Sequence, residues 1–485
     1  MKCFLLEQYF EGGFFMRIEL LGGTSKENLE ERIKIVAAAG KLSQFPGNVF
    51  EVLEDSKDYA ENLKVIKRIT KMGHKSITEH DYLVFAISDV TPIVEQTIIG
   101  NRLTSFTIKS RRYVDFRNAG FFVPDFRNED LSLHMENKLL KAKYKAHMEF
   151  LFKEYSSMID SGIPNEDARF LLPYSFYSNI VMGLNARELE KMILYLLYGD
   201  VSKIQELHDL GEELLKLANK YVPYLKNNIS RYQKHEATFD YMSVVREHNP
   251  LAEILDKPVL IEYTTSPDEL VLQLAIMSET QCYYDEASRI IDEAEKHDSD
   301  FRQKFMNEIL KKEENRELEE VSFTFQIPIS LAVLTHLTRH RMHSLLVSSF
   351  VPLWNFRNFV VPHTIKNAGL EEKYKEIIEA NIKVMEEFKN AGVIDEDLVY
   401  FYLGCQMCNV VTTVNARSLM WISRMRSCNR AQWQIREIVN HMTSEVKKVA
   451  PLISKGFGPS CVVNHVCNEG PKSCGLIDKI LEKNN

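Results

Sequence analysis

The chain contains an internal repeat, and this repeat restricts the folds that it can adopt. The letters Glu-Asp and Asn-Ala-Arg occur twice with identical spacing, first at residues 166–167 and 185–187 and again at residues 396–397 and 415–417. Matching spacing over such a distance indicates that a whole structural unit was duplicated. In a chain of 485 residues each copy is long enough to bury its own core. The sequence therefore predicts two homologous domains, residues 1–235 and 255–485, joined by a linker near residues 233–258.

Each half opens with an extended segment followed by a helix signal. Residues 17–21 are typical of a strand, residues 22–23 (Gly-Gly) of a turn, and residues 24–25 (Thr-Ser) of the start of a helix. In the second half, residues 259–263 favour a strand, and Pro267 suits the first turn of the following helix. We expect an α+β fold in which each domain combines a small mixed or antiparallel sheet with several long helices.

Composition and charge exclude several classes of protein. A net charge of −8 and a pI near 6.0 argue against a protein that coats nucleic acid, because such binding needs a basic surface. No stretch of about 18 apolar residues is present to span a membrane, and Glu7 and Glu11 interrupt the apolar core that a signal peptide needs. Of the eight cysteines only Cys3 lies in the first half, unlike a secreted disulfide framework. We expect a cytoplasmic protein with reduced thiols and no nucleic-acid or membrane partner.

A basic cluster in the second half is a candidate binding site. Residues 339–341 read Arg-His-Arg, and Ser349 follows after seven further residues. Upstream, residues 321–327 alternate as a half-buried strand does; Pro328 is predicted to end this strand, and a helix-like run of leucines follows. The cluster is therefore expected near a helix end. Taken alone, a basic triplet is more often a solvated helix end than a ligand site.

This block resembles the signature of the flavin-dependent thymidylate synthases (the ThyX family), which is Arg-His-Arg, seven residues and Ser. Further blocks are similar to those of the family in both halves. They are residues 415–417 with Arg426, residues 73–80 (Gly-His-Lys-Ser-Ile-Thr-Glu-His), residues 110–113 (Ser-Arg-Arg-Tyr) and residues 168–173 (Ala-Arg-Phe-Leu-Leu-Pro). The resemblance covers essentially the whole chain, twice.

The resemblance implies an enzyme that binds FAD and methylates dUMP, with methylenetetrahydrofolate and NADPH as co-substrates. It assigns to the cofactor Arg339, His340, Arg341, Asn415, Arg417, Ser76 and Glu79. It assigns to the nucleotide Ser110, Arg112, His336 and Arg426. Arg426 is also the expected catalytic residue, because in the family its counterpart lies over the uracil and favours the form deprotonated at N3, which a fixed cation stabilises.

Each half has lost blocks that the other keeps. In the first half, residues 100–102 (Gly-Asn-Arg) replace Arg-His-Arg and Leu196 stands in place of Arg426, whereas residues 313–316 have replaced the Gly-His-x-Ser block in the second half. Family members are homotetramers with sites between subunits. The resemblance therefore implies one composite site built from both halves, one flavin per chain, and a homodimer that mimics the tetramer.

Other positions depart from the family pattern. The acidic residue expected two positions before the motif serine is Ile108 in the first half and Val347 in the second, the nucleotide-contacting Gln is His336, and a flavin-contacting Asn is Trp421. Two alternatives stay open on these grounds. One is a catalytically inactive homologue that binds flavin or nucleotide, and the other is a related flavoenzyme acting on another pyrimidine nucleotide.

Cysteine and histidine patterns raise the question of metal binding. The tail carries Cys461, His465, Cys467 and Cys474, which match the ligand inventory of a structural zinc site, although irregular spacing leaves unpaired tail thiols as the alternative. A second candidate places three histidines, at positions 336, 340 and 343, on one helix face, without an accompanying carboxylate. The Cys-x-x-Cys at residues 405–408 lies in an apolar segment, predicted to be helical, and is interpreted as core packing.

Overall fold

The computed structural model of the protein describes residues 16–24, 29–230, 232, 253–347, 357–477 and 479. The chain divides into two compact units, formed by residues 1–249 with 361–403 and by residues 250–360 with 404–485. Units and repeats thus have different boundaries, because residues 361–403 follow the second Arg-His-Arg block but belong to the first unit. The domain limits 1–235 and 255–485 stay a prediction about the duplication. Most of the predicted linker, residues 233–252, lies outside the described residues.

The first unit is built on a four-stranded antiparallel sheet with the order β1-β2-β4-β3. Its strands are β1 (Arg17–Gly23), β2 (Tyr82–Val90), β3 (Ser105–Ile108) and β4 (Ser178–Asn185). One face of the central strand β2 is apolar, and its Leu83, Phe85 and Ile87 are buried. This alternation is the period-2 pattern of a sheet covered on one side.

The first unit also contains helices. Those before the linker are α1 (Leu29–Leu42), α2 (Val49–Asp55), α3 (Tyr59–Lys71), α4 (Pro92–Ile99), α5 (Asn137–Asp160), α6 (Asn165–Ala168), α7 (Ala186–Tyr198), α8 (Gln205–Tyr221) and α9 (Lys226–Ser230). The helices of residues 361–403, which also belong to this unit, are numbered in chain order and given below. The short 3-10 turns are Lys75–His80, Arg169–Leu171 and Asp200–Lys203.

The second unit repeats the sheet with the order β5-β6-β8-β7. Its antiparallel strands are β5 (Val259–Tyr263), β6 (Ser322–Ser330), β7 (Ser344–Leu346) and β8 (Met407–Asn415). Its helices before residue 347 are α10 (Pro267–Thr280), α11 (Tyr284–His297), α12 (Phe301–Lys311) and α13 (Leu331–Leu337), with a 3-10 turn at Arg316–Glu319. The equivalent strand order in the two units confirms the predicted α+β fold with a duplicated sheet.

The remaining helices are divided between the two units. Residues 361–403, in the first unit, form α14 (His363–Asn367), α15 (Glu371–Asn390), α16 (Asp395–Leu398) and the 3-10 turn Val399–Phe401. The second unit ends with α17 (Ala416–Arg426), α18 (Trp433–Val449) and α19 (Ser460–Val463), with 3-10 turns at Ile453–Gly456 and Gly470–Lys472. No helix among the described residues is long and apolar enough to cross a membrane.

Residues 361–403 are held in the first unit by an aromatic core and a buried ion pair. Helix α15 packs on α5, and the ring of Phe388 lies 4.9 Å from Phe126 and 5.0 Å from Phe401, each edge to face. Asp397 accepts a hydrogen bond from the backbone N–H of Arg127 at 2.8 Å and pairs with its guanidinium at 2.5 Å. Aromatic packing of this kind adds to the free energy gained from burial alone.

Three local predictions were wrong. Gly22 and Gly23 lie inside β1 and do not form a turn. The pairing register with β2 shifts between Leu20 and Gly22, which is a bulge in the strand. Pro328 lies inside β6 opposite Asn409. It is tolerated because β5 reaches only as far as Gln326, so the missing N–H lies beyond the end of that neighbour.

The third concerns the Cys-x-x-Cys segment, which is not helical. Cys405 precedes β8 and Cys408 lies within it. Both thiols are buried, as core packing predicts, and burial raises the pKa of Cys408 to about 12. Since residues 25–28 are outside the described part of the chain, the predicted start of the first helix is not visible.

Candidate functional site

The Arg-His-Arg block lies where the sequence predicted, directly after helix α13. The helix ends at Leu337, and residues 339–341 form a turn that leads into β7 at Ser344. Arg339 and Arg341 are exposed, whereas His340 is half-buried. The turn thus contains two exposed arginines on either side of a half-buried histidine. His336 is buried on α13, and Ser349 lies outside the described residues.

A direct hydrogen bond joins the Arg-His-Arg block to the predicted catalytic residue. Arg426, the last residue of α17, donates from Nε to Nε2 of His340 at 2.9 Å. Because Nε2 accepts this bond, the neutral imidazole carries its hydrogen on Nδ1. Burial, followed by the charges of Arg426, His343 and Arg339, lowers the pKa of His340 to about 3. His340 is therefore neutral near pH 7.

A second histidine anchors the turn to the sheet. His343 is buried, and its Nδ1 lies 2.6 Å from the hydroxyl of Thr412 on β8. That hydroxyl donates its own hydrogen to the carbonyl oxygen of Ser344 at 2.8 Å, so His343 must be the donor in the first bond. The alternative metal site assumed that His336, His340 and His343 share one helix face. Helix α13 ends at Leu337, so His340 and His343 do not lie on it.

Asn415 and Arg417 define the start of helix α17. Asn415 is its N-cap and accepts a hydrogen bond from the backbone N–H of Ser418 at 2.8 Å. Arg417 pairs through Nη1 with Glu319 and donates from Nη2 to the carbonyl oxygen of Glu313 at 3.1 Å. Arg417 is thus already oriented by the turn that precedes β6.

The first unit repeats this arrangement. Asn185 caps α7 by accepting from the N–H of Glu188 at 2.9 Å, and Arg187 pairs with Glu79 at 2.5 Å. Glu79 belongs to the 3-10 turn Lys75–His80, on which Ser76 is exposed. The duplication therefore extends from the strand order to individual hydrogen bonds, and the predicted cofactor residues Glu79 and Arg417 each occupy an ion pair within their own unit.

The predicted nucleotide residues of the first unit lie in a cluster of guanidinium groups. Arg112 donates to Glu166 at 3.0 Å, and its backbone N–H donates to the hydroxyl of Ser110 at 3.3 Å. Arg169 is buried, and its pKa falls to about 9 because of burial and then because of the charges of Arg111 and Arg112. Arg169 thus lies close to two further guanidinium groups, while Glu166 and Asp167 oppose their effect on its pKa.

Sequence reasoning did not single out Arg169 as a site residue. The signal was present, because Arg169 is the arginine of the Ala-Arg-x-x-Leu-Pro block at residues 168–173. Its neighbour Arg111 pairs with buried Glu95 at 2.6 Å, a partner that no motif names. Only the fold brings these groups together, since Glu95 lies on α4.

Comparison with known proteins matches both copies. A family model described as thymidylate synthase complementing protein matches residues 27–224 and, a second time, residues 259–452. A flavin-dependent thymidylate synthase from Clostridium tetani is 33% identical over 240 residues, which cover 45% of this chain and 93% of that protein. The chain belongs to the flavin-dependent thymidylate synthase family.

Other relatives match a single copy in the same way. The flavin-dependent thymidylate synthase of Pyrococcus abyssi is 33% identical over 222 residues, covering 43% of this chain and 88% of that protein. Among solved structures, a UMP/dUMP methylase, PolB from Streptomyces cacaoi, covers 45% of this chain and 96% of that chain at 22% identity and a TM-score of 0.36. This structural likeness is too weak to support an argument. The two family-model segments confirm the tandem duplication within the flavin-dependent thymidylate synthase family.

The two copies of the family fold are not equivalent. Leu196 on α7 occupies the position of Arg426 on α17, and it is fully buried in the first unit. Helix α4 ends at Ile99 and is followed by Gly100, Asn101 and Arg102 rather than by Arg-His-Arg. Among the described residues, the cluster of His340 with Arg426 therefore belongs to the second unit alone.

The tail of the second unit gathers cysteines, but with a different set from that predicted. Cys461, Cys467 and Cys474 line one pocket together with Cys428, which follows α17. His465 is exposed and does not line it. Burial raises the pKa of Cys461, and Cys428, Cys467 and Cys474 raise it further. In the described residues, however, no three His, Cys, Asp or Glu side chains are placed to hold a metal ion as they stand.

Proposed function

We propose that the protein is a flavin-dependent enzyme that methylates dUMP at C5 of the uracil ring, with methylenetetrahydrofolate as one-carbon donor and NADPH as reductant. The observation that carries this proposal is the hydrogen bond from Arg426 to His340, because it joins the expected uracil-activating cation to the expected cofactor block. Family membership supports the same reaction class.

The second unit offers a donor set suited to a flavin diphosphate. Arg339 and Arg341 are exposed, and His340 between them is neutral. Guanidinium forks suit phosphate oxygens, and a neutral imidazole adds a donor without adding charge repulsion. We infer that Arg339, His340, Arg341, Asn415 and Arg417 hold FAD in the second unit. FAD, when bound, supplies the redox chemistry of the methyl transfer.

Arg426 is inferred to activate the uracil. Since His340 is neutral, its bond to Nε orients the guanidinium without cancelling its charge. A fixed cation of this kind stabilises a uracil deprotonated at N3, and the anion is more nucleophilic at C5. No covalent bond to a cysteine is required in this scheme.

The cluster around Arg112 is inferred to bind the nucleotide phosphate. Burial lowers the pKa of Arg169 most, and repulsion from the charges of Arg111 and Arg112 lowers it further. A phosphate dianion would relieve this repulsion, and the hydroxyl of Ser110 adds a hydrogen-bond donor. His336, buried on α13, stands where the family has a glutamine and is inferred to contact the base.

A turnover assay tests the proposal. Purified full-length protein is incubated with methylenetetrahydrofolate, NADPH and dUMP that carries tritium at C5. Methylation at C5 displaces that hydrogen, so tritium release and dTMP formation should rise together, and omission of either co-substrate should stop both. UMP serves as the parallel substrate that tests the alternative of another pyrimidine nucleotide.

A second candidate, an inactive homologue that binds flavin and nucleotide, is favoured by one observation. The acidic side chain that the family pattern expects is Ile108 on β3, which is only 9% exposed, and Val347 in the second half. A protein that carries flavin and whose flavin spectrum responds to dUMP, but that releases no tritium from either nucleotide, would establish this function instead.

A further inference from the structure

Four thiols from two separate segments meet beside the end of helix α17. Cys428 lies two residues after Arg426, and Cys461, Cys467 and Cys474 come from the tail. All four line one pocket. The other described cysteines of this unit, Cys282, Cys405 and Cys408, do not line it. Four of the seven described cysteines of this unit therefore line one pocket, and three lie elsewhere.

Hydrogen-bond donors point at two of the clustered sulfurs. The backbone N–H of Arg430 donates to Sγ of Cys428 at 3.4 Å, and Nδ2 of Asn429 lies 4.0 Å from Sγ of Cys474. Arg430 also donates from its guanidinium to the carbonyl oxygen of Ser473 at 2.9 Å, which ties the tail to the end of α17. N–H donors and a nearby guanidinium stabilise thiolates, whereas Glu469, which also lines the pocket, opposes them.

The tail has no hydrophobic core of its own. None of the residues 457–477 is buried, and the segment consists of short helical turns with left-handed backbone at Gly470 and Gly475. A segment that buries so little cannot offset the entropy of ordering its chain by packing alone. Small segments of this kind are commonly held by a bound metal or by disulfides.

We propose that Cys428, Cys461, Cys467 and Cys474 bind one Zn²⁺ that fixes the tail against the end of helix α17. On binding, each thiol loses a proton to water, and four Zn–S bonds form without any transfer of electrons. The thiols as they stand are not yet placed around a common ion, so binding draws them inward. The tail permits this movement because no buried side chain holds it.

The ligand set differs from that expected from the sequence, since Cys428 takes the place of His465. The site also has a consequence for the helix that carries Arg426, because one ligand lies two residues beyond it. Zinc would restrain the last turn of α17 and thereby the direction of the Arg426 guanidinium. The proposal concerns metal content and does not depend on the flavin chemistry.

Elemental analysis of the full-length protein, purified under reducing conditions from zinc-replete cells, tests the proposal. Wild type should contain about one zinc per chain, the content of one four-ligand structural site. Cys428→Ser and Cys467→Ser should each lose most of it. Cys282→Ser removes a cysteine of the same unit outside the cluster and should keep it, as should His465→Ala.

Reconstitution with Co²⁺ guards against variants that fold poorly. Apoprotein of wild type should develop intense thiolate-to-cobalt absorption, and Cys428→Ser should give a weaker band with three sulfurs. Zinc should also protect four thiols from alkylation until a chelator is added. A wild type that holds no zinc after reconstitution, retention of zinc by Cys428→Ser, iron with acid-labile sulfide, or disulfides among these cysteines would overturn the assignment.

Discussion

Arg426 and His340 form the contact on which the proposed chemistry depends most. Their 2.9 Å hydrogen bond positions a cation, and neutral His340 leaves its charge intact. Arg426→Ala should therefore lower turnover by about 100-fold or more, the cost typical of removing one electrostatic donor from a transition state, while flavin content stays near that of wild type. Tritium release and flavin absorbance measure the two effects.

Arg424 offers a matched control for Arg426. It lies on the same helix two residues earlier, and its guanidinium stacks over the ring of Trp421 at 4.8 Å. Arg424→Ala removes an equal charge from the same turn and should leave turnover much closer to wild type. Equal losses in the two variants would mean that helix charge, rather than the contact with His340, determines activity.

His340 also predicts how stability depends on pH. Its folded-state pKa is about 3 against an ordinary value of 6.5, so between these values the unfolded chain binds more protons than the folded chain. The free energy of unfolding contributed by this residue therefore falls as the pH is lowered through that window. His340→Gln, which keeps an acceptor for Arg426 but cannot titrate, should lose less stability than wild type on going from about pH 7 to about pH 5.

Denaturant midpoints of both proteins at the two pH values measure this difference. All other titrating groups are common to the two chains, so they cancel in the comparison. An identical loss of stability in wild type and His340→Gln would show that His340 is not held neutral in the folded state.

At the level of strands and helices, the duplicated α+β arrangement could be predicted because its signals are local. The alternation in β6, the proline at the start of α10 and the leucines of α13 can each be recognised from a few neighbouring residues. Pro328 was misinterpreted because its tolerance depends on where β5 begins. Val259, the first residue of β5, is 69 residues from Pro328 in sequence, yet it pairs with Gln326 in the sheet. Pairing across such distances is not visible in a local pattern.

The candidate site divides in the same way. Arg339, His340 and Arg426 could be found by spacing against a family pattern, but their hydrogen bond depends on how α13 and α17 approach each other. Cys428 was missed for a similar reason, because it is far in sequence from the three tail cysteines that line the same pocket. Residues recruited by tertiary contact carry no spacing signal.

The equivalent N-caps of helices α7 and α17 allow the capping role of Asn415 to be separated from its inferred role in flavin binding. Asn185 and Asn415 each cap their helix, so Asn185→Ala and Asn415→Ala should each cost about 1 kcal/mol of stability. Only Asn415 stands in the inferred flavin set, and only Asn415→Ala should also lower flavin content. Thermal unfolding and absorbance of the two variants, compared side by side, test this; a matching loss of flavin in Asn185→Ala would remove the special role of Asn415.

For the molecule as a whole, duplication followed by unequal loss predicts its stoichiometry. Leu196 is buried at the position that Arg426 occupies in the other copy, so the two copies differ there in charge. Two fused copies should take the place of two subunits, and we expect the full-length chain to form a homodimer. Light scattering of the purified protein measures this mass directly, and a tetramer of full-length chains would contradict the expectation.

The most direct measurement is the absorbance spectrum of the purified full-length protein, before and after dUMP is added. A flavin spectrum equivalent to about one FAD per chain is predicted, because among the described residues the His340–Arg426 cluster belongs to one copy only. Added dUMP should perturb that spectrum. A colourless protein that takes up no flavin on reconstitution, or one that binds two flavins per chain with equal affinity, would contradict it.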